Sequence, residues 1–239
     1  MSAGSKAKMS SAIEPIDKRK IFMQCFLSKG ILSATEVKEL LIFCGVPVES
    51  KSDMANFVLS VNASLAPFHL EIKKGIQEDD GASFYCLVNT VESSISRMSS
   101  TYSSTELELF KKLVEQIVET DDGKLGSLAA LSLTEKLDKR MGKEEAENFF
   151  DRLERDKWIK KELDGKISLS VRSIVELDQY LKDMYPDVIR ICYICSKLCL
   201  LGENCDSCTI KIHKKCARTL FEHCTEKRCP DKNCRSVWG

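Results

Sequence analysis

The sequence predicts a mainly α-helical protein with small β hairpins, in which two tandem winged-helix domains precede a C-terminal, RING-like finger with two zinc ions in a cross-brace. Two observations lead to this fold class. The order of three helices followed by a hairpin occurs twice along the chain, and nine of the 12 cysteines lie between Cys192 and Cys234. At 239 residues and 43% hydrophobic, the chain has room for two or three small domains.

The first winged helix is predicted at residues 15–91, after a small, polar tail at 1–14 that we expect to be disordered. Apolar residues recur at helical spacing in three segments, and the period then changes to two on either side of an Asp80-Gly81 turn. A capping box of Ser33 and Glu36 opens the second helix, and Ser52 is expected to open the third. The predicted helices cover 17–29, 33–45 and 52–66, and the predicted strands cover 69–73 and 83–88.

The same order of elements returns after a Ser/Thr-rich segment, 92–104, that we expect to be a linker. A second winged helix with a capping helix is predicted at 105–187. Its second helix is expected to open at a capping box of Ser132 and Glu135, and its hairpin to turn at Asp164-Gly165, a pair compatible with a type I′ turn. The other predicted helices cover 105–119, 143–156 and 171–184, and the predicted strands cover 158–163 and 166–169.

The charge is zero overall but unevenly spread. Lys plus Arg against Asp plus Glu number 10 against 10 over residues 1–90, 16 against 21 over 91–187, and 10 against 5 over 188–239. A winged helix that binds DNA usually lays its third helix in the major groove and needs cations there. The predicted helix 143–156 is mostly acidic and 52–66 is almost uncharged. Direct DNA binding is therefore not expected, and both domains are predicted to be protein-docking scaffolds.

Three lysines on the second wing, Lys160, Lys161 and Lys166, are the remaining candidates for contact with nucleic acid. A solvated hairpin face explains them more simply. No apolar run is long enough to span a bilayer, so no membrane contact is expected.

The cysteine-rich segment needs cross-links, because it is too short and too charged to build an apolar core of its own. The start of the chain has no apolar secretory region, so we expect a reducing compartment, where clustered thiols bind metal rather than form disulfides. Two C-x-x-C pairs and one H-x-x-C pair have the spacing that lets both members reach one tetrahedral zinc ion. The predicted ligands are Cys192, Cys195, His213 and Cys216 for one ion, and Cys205, Cys208, Cys229 and Cys234 for the other.

This interleaved pairing follows from the loop lengths between the pairs, which suit a cross-brace better than separate single-zinc fingers. The last two ligands are separated by four residues rather than two, so either the loop 230–233 bulges or Cys224 or His223 replaces a ligand. Cys199 is a spare cysteine, which we interpret first as a thiol and second as a ligand.

The residues around the ligands resemble a RING rather than a PHD finger. The PHD aromatic before the seventh ligand is absent, since Lys227 stands there, whereas Ile194 and Pro230 occupy the aliphatic and proline positions of a RING. Those two residues would form an apolar groove for a ubiquitin-conjugating enzyme, and Arg235 would hydrogen-bond that enzyme and its ubiquitin. Taken singly, each residue is better explained by core packing, a turn or a solvated charge, but together with the ligand spacing the three favour a RING.

Together, these features resemble the non-SMC element 1 family, the RING-bearing subunits of the SMC five/six chromosome complex. The motifs that carry the resemblance are Cys192-Tyr-Ile-Cys195, Cys205-Asp-Ser-Cys208, Ile212-His213-Lys-Lys-Cys216 and Arg228-Cys229-Pro230, within a similarity that covers about 17–239. The resemblance implies a nuclear, chromosome-associated protein of DNA repair and recombination. It implies a MAGE-domain subunit and a kleisin subunit as partners, and activity as a ubiquitin ligase.

A RING ligase has no catalytic nucleophile of its own. It holds the charged conjugating enzyme so that the thioester meets a substrate lysine in a reactive geometry, which is catalysis by orientation. The competing hypothesis is a non-catalytic, zinc-stabilised assembly subunit of the same complex, because a fold does not determine a function.

Overall fold

Residues 18–91, called the first unit below, form three helices and a three-stranded antiparallel sheet. The structure is a computed structural model that describes residues 18–91 and 94–238; the tail expected to be disordered at 1–14 lies outside them. The elements are α1 (Lys18–Lys29), β1 (Ile31–Ser33), α2 (Ala34–Phe43), α3 (Lys51–Leu65), a 3-10 turn (Ala66–Phe68), β2 (Leu70–Ile76) and β3 (Ser83–Asn89). The sheet order is β1-β3-β2, so the predicted hairpin gains a third strand.

The local signals in the first unit explain most of its boundaries. The predicted capping box is confirmed, because Ser33 Oγ accepts from the Glu36 N–H at 3.1 Å and Glu36 Oε2 accepts from the Ser33 N–H at 2.8 Å. The predicted start of the third helix at Ser52 is wrong. Ser50 caps it instead, because the acidic partner three positions on is Asp53. Strand β1 was missed because three residues are too short to show a period of two.

Residues 94–187, called the second unit below, repeat this order of elements. They comprise α4 (Ser94–Met98), α5 (Ser104–Glu119), β4 (Lys124–Gly126), α6 (Ser127–Ser132), a 3-10 turn (Leu133–Lys136), α7 (Lys143–Arg155), β5 (Ile159–Lys161), β6 (Lys166–Leu169), α8 (Val171–Glu176) and α9 (Asp178–Met184). The sheet order is β4-β6-β5, again with a short third strand before the second helix. The protein is therefore a mixed helix and sheet fold with two three-stranded sheets, and not a helical protein with hairpins alone.

The segment expected to be a linker is part of the second unit's core over the described residues 94–104. Ile95, Met98 and Tyr102 are all buried there, at a spacing of three and four that matches one helical face. The Ser/Thr-rich composition hid this pattern. Tyr102 also donates from its hydroxyl to Asp156, which fixes the segment against the end of α7.

Three predictions about local geometry in the second unit are wrong. Ser132 does not cap a helix but ends α6, and its hydroxyl donates to the Ala129 carbonyl at 2.7 Å. The hairpin turn is not type I′, because only Gly165 has a positive φ, of 77°. Its register leaves a three-residue loop in which the Gly165 N–H donates to the Glu162 carbonyl. The helix predicted at 171–184 is two helices, which meet at Leu177.

Helix α8 joins the two units, because it packs against both β2 and β3 of the first unit. Val171 and Val175 lie directly over Gly75. Beside this contact the buried carboxylate of Glu176 accepts from Arg97 and Arg172, each at 2.7 Å. The two units thus meet at an apolar seam, which lies beside a buried charged cluster of the second unit.

Residues 188–238, called the finger below, contain β7 (Gly202–Asn204), β8 (Lys211–His213) and α10 (Lys214–Phe221). Their small core consists of cysteines together with Ile212, Ala217, Phe221 and Trp238. The segment that includes Leu198, Leu200 and Leu201 instead packs into the core of the second unit. Among the described residues, no helix is long and apolar enough to cross a membrane.

Candidate metal centre

The structure brings together the first predicted set of four ligands, Cys192, Cys195, His213 and Cys216. Their ligand atoms all lie within 4.8 Å of one another. The two cysteines of the C-x-x-C pair lie at the start of the finger, and His213 ends β8 just before α10. The His213 Nδ1 atom lies 3.3 Å from Cys195 Sγ and 3.9 Å from Cys216 Sγ.

The second predicted set, Cys205, Cys208, Cys229 and Cys234, also converges within 4.8 Å. Cys205 Sγ lies 3.8 Å from Cys234 Sγ, and Cys208 Sγ lies 3.7 Å from Cys229 Sγ. Along the chain the two sets alternate, as the cross-brace prediction requires.

These distances fit zinc coordination. Two sulfurs bound at about 2.3 Å to one tetrahedral ion lie about 3.8 Å apart, and a sulfur and a nitrogen about 3.6 Å apart. The observed separations of 3.7 and 3.8 Å, and of 3.3 and 3.9 Å for the histidine, surround those values. All 12 cysteines are free thiols, so none of the seven cysteine ligands is engaged in a disulfide. Donor sets of four sulfurs and of three sulfurs with one imidazole are those that zinc prefers in structural sites.

Hydrogen bonds lower the pKa of one thiol in the first set, Cys192, and of two in the second, Cys205 and Cys234. Burial opposes ionisation of Cys192, but hydrogen bonds from backbone N–H groups, that of Cys195 foremost, outweigh it and lower the pKa of the thiol to about 7. In the second set the Ser236 hydroxyl and backbone N–H groups lower the pKa of Cys205 to about 6. Burial raises the pKa of Cys216 to about 11. A divalent cation offsets such a penalty, because a coordinating thiol is deprotonated outright.

The wide spacing of the last two ligands is taken up by a turn at Asp231. Its carboxylate accepts from the Asn233 N–H at 3.0 Å, and its carbonyl accepts from the Cys234 N–H at 3.1 Å. The loop 230–233 therefore bulges, which was one of the two alternatives. Cys224 and His223 belong to neither set of four ligand atoms.

A third group forms on His213. Glu78, which lies in the turn after β2, and the buried Cys199 both approach it, so that one ligand atom of each lies within 4.8 Å of the others. Glu78 Oε1 lies 2.8 Å from His213 Nε2. Burial would lower the pKa of His213, but its hydrogen bonds with Cys199 and Glu78 outweigh burial and raise that pKa. Sequence reasoning missed Glu78, because no local motif links it to the finger.

The three residues predicted to contact a conjugating enzyme all lie in the finger. Ile194, in the turn between Cys192 and Cys195, is 43% exposed. Pro230 is half-buried and Arg235 is exposed. Arg235 has a φ of 48°, and its N–H donates to the Asp231 carbonyl at 3.1 Å, so its backbone belongs to the turn that closes the second set.

The chain is similar to known proteins over most of its length. Residues 19–177 match the family described as the Nse1 non-SMC component of SMC5-6 complex. The "Non-structural maintenance of chromosomes element 1 homolog" of Bos taurus is 35% identical over 229 residues, which cover 93% of this chain and 84% of that protein. The Schizosaccharomyces pombe "Non-structural maintenance of chromosomes element 1" is 26% identical over 226 residues, covering 93% and 92%.

A solved structure gives the same result. A chain of the "Nse1-Nse3-Nse4 complex" superposes with a TM-score of 0.82 at 34% identity, and the match covers 92% of this chain and 96% of that one. The match to the family over 159 residues and the curated relatives above 30% identity agree with this superposition. By these three comparisons the chain belongs to the Nse1 family, as the motifs of the finger indicated.

Proposed function

We propose that this protein is a zinc-binding subunit of an SMC5-6 complex that assembles with Nse3 and Nse4 and acts as a RING-type ubiquitin ligase. Its partners would be the MAGE-domain and kleisin subunits, and its place would be the nucleus, on chromosomes, in DNA repair and recombination. Membership of the family supports the assembly, because the matched structure is a complex of these three subunits. The two units, each with a three-stranded sheet packed against helices, would be winged helices that dock proteins.

The observation that supports the ligase is the pair of interleaved four-ligand sets with an exposed aliphatic side chain, Ile194, on the first ligand turn. Cys192, Cys195, His213 and Cys216 would hold one zinc ion, and Cys205, Cys208, Cys229 and Cys234 the other. Zinc in such closed sites supplies folding free energy and no open coordination position for chemistry.

The proposed mechanism is orientation of a charged conjugating enzyme. Ile194 and Pro230 would contact it through apolar surface, and Arg235 would donate a charge-assisted hydrogen bond to the enzyme and its ubiquitin. Such a bond accelerates the reaction only to the extent that it is stronger in the reactive arrangement than in the encounter complex.

One observation favours the second candidate, a non-catalytic assembly subunit. Leu198, Leu200 and Leu201 are buried in the core of the second unit, so the finger is packed against the scaffold through its own chain. A finger whose role is to hold two units together requires such a contact, whereas a ligase finger does not.

The deciding experiment is discharge of ubiquitin from a conjugating enzyme to free lysine, with the partner subunits present. We expect Ile194→Ala to abolish discharge while both zinc ions are retained, and Arg235→Ala to slow discharge more than it weakens docking. Leu163→Ala is the control, because Leu163 is a fully exposed leucine on the hairpin of the second unit. If the parent protein and Ile194→Ala are equally inert with a panel of conjugating enzymes, the assembly role stands. If both are equally active, the groove lies on other residues.

A further inference from the structure

The side chain of Glu78 is almost fully enclosed, with 1% of its surface exposed, although it belongs to a turn of the first unit. Its carboxylate accepts from two backbone N–H groups of the finger, Leu200 at 2.9 Å and Leu201 at 2.9 Å. It also lies 2.8 Å from His213 Nε2. Burial of a carboxylate is costly unless its oxygens are hydrogen-bonded, and these three hydrogen-bond partners all come from the finger.

The surroundings of His213 determine which ring nitrogen carries hydrogen. The Nε2 atom lies 2.8 Å from Glu78 Oε1 and 2.8 Å from the Leu198 carbonyl oxygen. Both neighbours accept hydrogen bonds, so Nε2 carries the hydrogen and donates it. In the neutral ring the lone pair is then on Nδ1, the nitrogen that faces Cys195 and Cys216.

We propose that Glu78 is a positioning residue for the first metal site, which fixes the tautomer and the orientation of His213 by accepting the Nε2 hydrogen. This inference rests on the proposed zinc site of Cys192, Cys195, His213 and Cys216. A histidine that ligates a metal through one nitrogen commonly donates its other N–H to a carboxylate, which also makes the ring a stronger donor to the metal. Here the carboxylate comes from the first unit, so that unit completes a site built by the finger.

Glu78, Cys199 and His213 lie close enough together to allow a different arrangement, in which these three residues bind a further metal ion. That arrangement would require Nε2 to give up its hydrogen and turn a lone pair toward the cation. The Leu198 carbonyl at 2.8 Å from Nε2 would then lose its donor and face the lone pair instead. The geometry therefore favours Glu78 as a hydrogen-bond acceptor.

The first test is Glu78→Gln in the full chain, measured by competition for zinc with a chromophoric chelator. We expect the affinity of one of the two sites to fall by about 10- to 100-fold, with the other unchanged. With cobalt(II) in place of zinc, the absorption of the site with one nitrogen ligand should change and that of the all-sulfur site should not.

The matched control is Glu176→Gln, since Glu176 is another fully buried carboxylate at the contact of the first and second units, where it pairs with Arg97 and Arg172. It should lower thermal stability and leave both zinc affinities as they are. Equal loss of zinc affinity in the two variants would mean that any damage to the seam weakens the site, and would overturn the positioning role.

A second measurement separates orientation of the ring from support of the fold. In a His213→Cys background there is no ring to orient, so adding Glu78→Gln should cause no loss of affinity. The same loss as in the parent, or failure of Glu78→Gln to fold in both backgrounds, contradicts the proposal. Failure to fold only when His213 is present supports it.

The zinc content of the parent protein tests the premise separately. Fewer than two zinc ions per chain would refute the zinc sites themselves, and three would favour the alternative arrangement.

Discussion

Gly75 shows how one residue sets the distance between the two units. A Cβ placed there would meet Cγ2 of Val171 and Cγ2 of Val175, each at 2.6 Å. Neither valine can withdraw easily, because χ1 of a β-branched side chain on a helix is strongly restricted. The close approach of α8 to β2 therefore requires glycine at this position.

We expect Gly75→Ala to destabilise the protein by about 1–3 kcal/mol, the usual cost of overpacking a core. The measurement is reversible denaturant unfolding of the full chain. Gly142→Ala is the control, because a Cβ at Gly142 would meet nothing within 4 Å. Equal stability of Gly75→Ala and the parent would show that α8 can move away from β2 at little cost.

Among single residues, the candidate metal ligands could be predicted from the sequence, but Glu78, which contacts His213, could not. The C-x-x-C and H-x-x-C pairs are local, so their spacing alone placed each pair in one turn. Glu78 lies 122 residues before Leu200, between the half-buried Gln77 and Asp79. Its role depends on how the first unit packs on the finger, and no local pattern records that packing.

The lysines of the second wing are already paired with carboxylates. Lys160 binds Asp79 of the first unit, Lys161 binds Asp151 on α7, and Lys166 binds Asp122 at 3.2 Å. The hydrogen bond with Asp79 raises the pKa of Lys160, so this cation stays charged and engaged. A phosphate would have to displace these carboxylates from a face that also includes the acidic α7.

We therefore expect the three lysines to contribute nothing to DNA binding by the full chain. A variant with Lys160, Lys161 and Lys166 all changed to alanine should bind duplex DNA with the parent's affinity and salt dependence. The measurement is fluorescence anisotropy at several salt concentrations. Each lysine that did neutralise a phosphate would contribute about 0.9 to the slope of log affinity against log salt, so a drop of two or more would contradict this prediction.

Helices could be predicted more completely than strands because their signals are longer. The 16-residue α5 repeats its apolar face over four turns, whereas β1 and β4 have three residues each and gain stability only from pairing with a distant strand. The prediction of one helix over 171–184 was wrong because the apolar spacing continues through Leu177 although the backbone does not. The φ of −97° at Leu177 interrupts the helix between α8 and α9.

At the scale of the whole molecule, one segment of the finger, 198–201, contacts both units. The segment 198–201 has its leucines in the core of the second unit, while its backbone N–H groups donate to Glu78 of the first unit. The buried Lys211 adds a third connection, since its ammonium donates to the Leu200 carbonyl at 2.7 Å and to the Asp121 carbonyl at 3.2 Å. The first metal site and the packing of the units should therefore be energetically coupled.

The last prediction tests this coupling by removing one metal site at a time. Cys216→Ser should lose one zinc ion and free His213, so that hydrogen exchange at the Leu200 and Leu201 amides becomes faster. Cys234→Ser should also lose one zinc ion but keep these two amides protected, because the cysteines of its site hydrogen-bond with one another and with Ile210, Asp231 and Ser236. Elemental analysis gives the metal content and mass spectrometry the exchange rates. Equal protection of the two amides in both variants would show that the contact of Glu78 with the segment 198–201 does not depend on the first metal site.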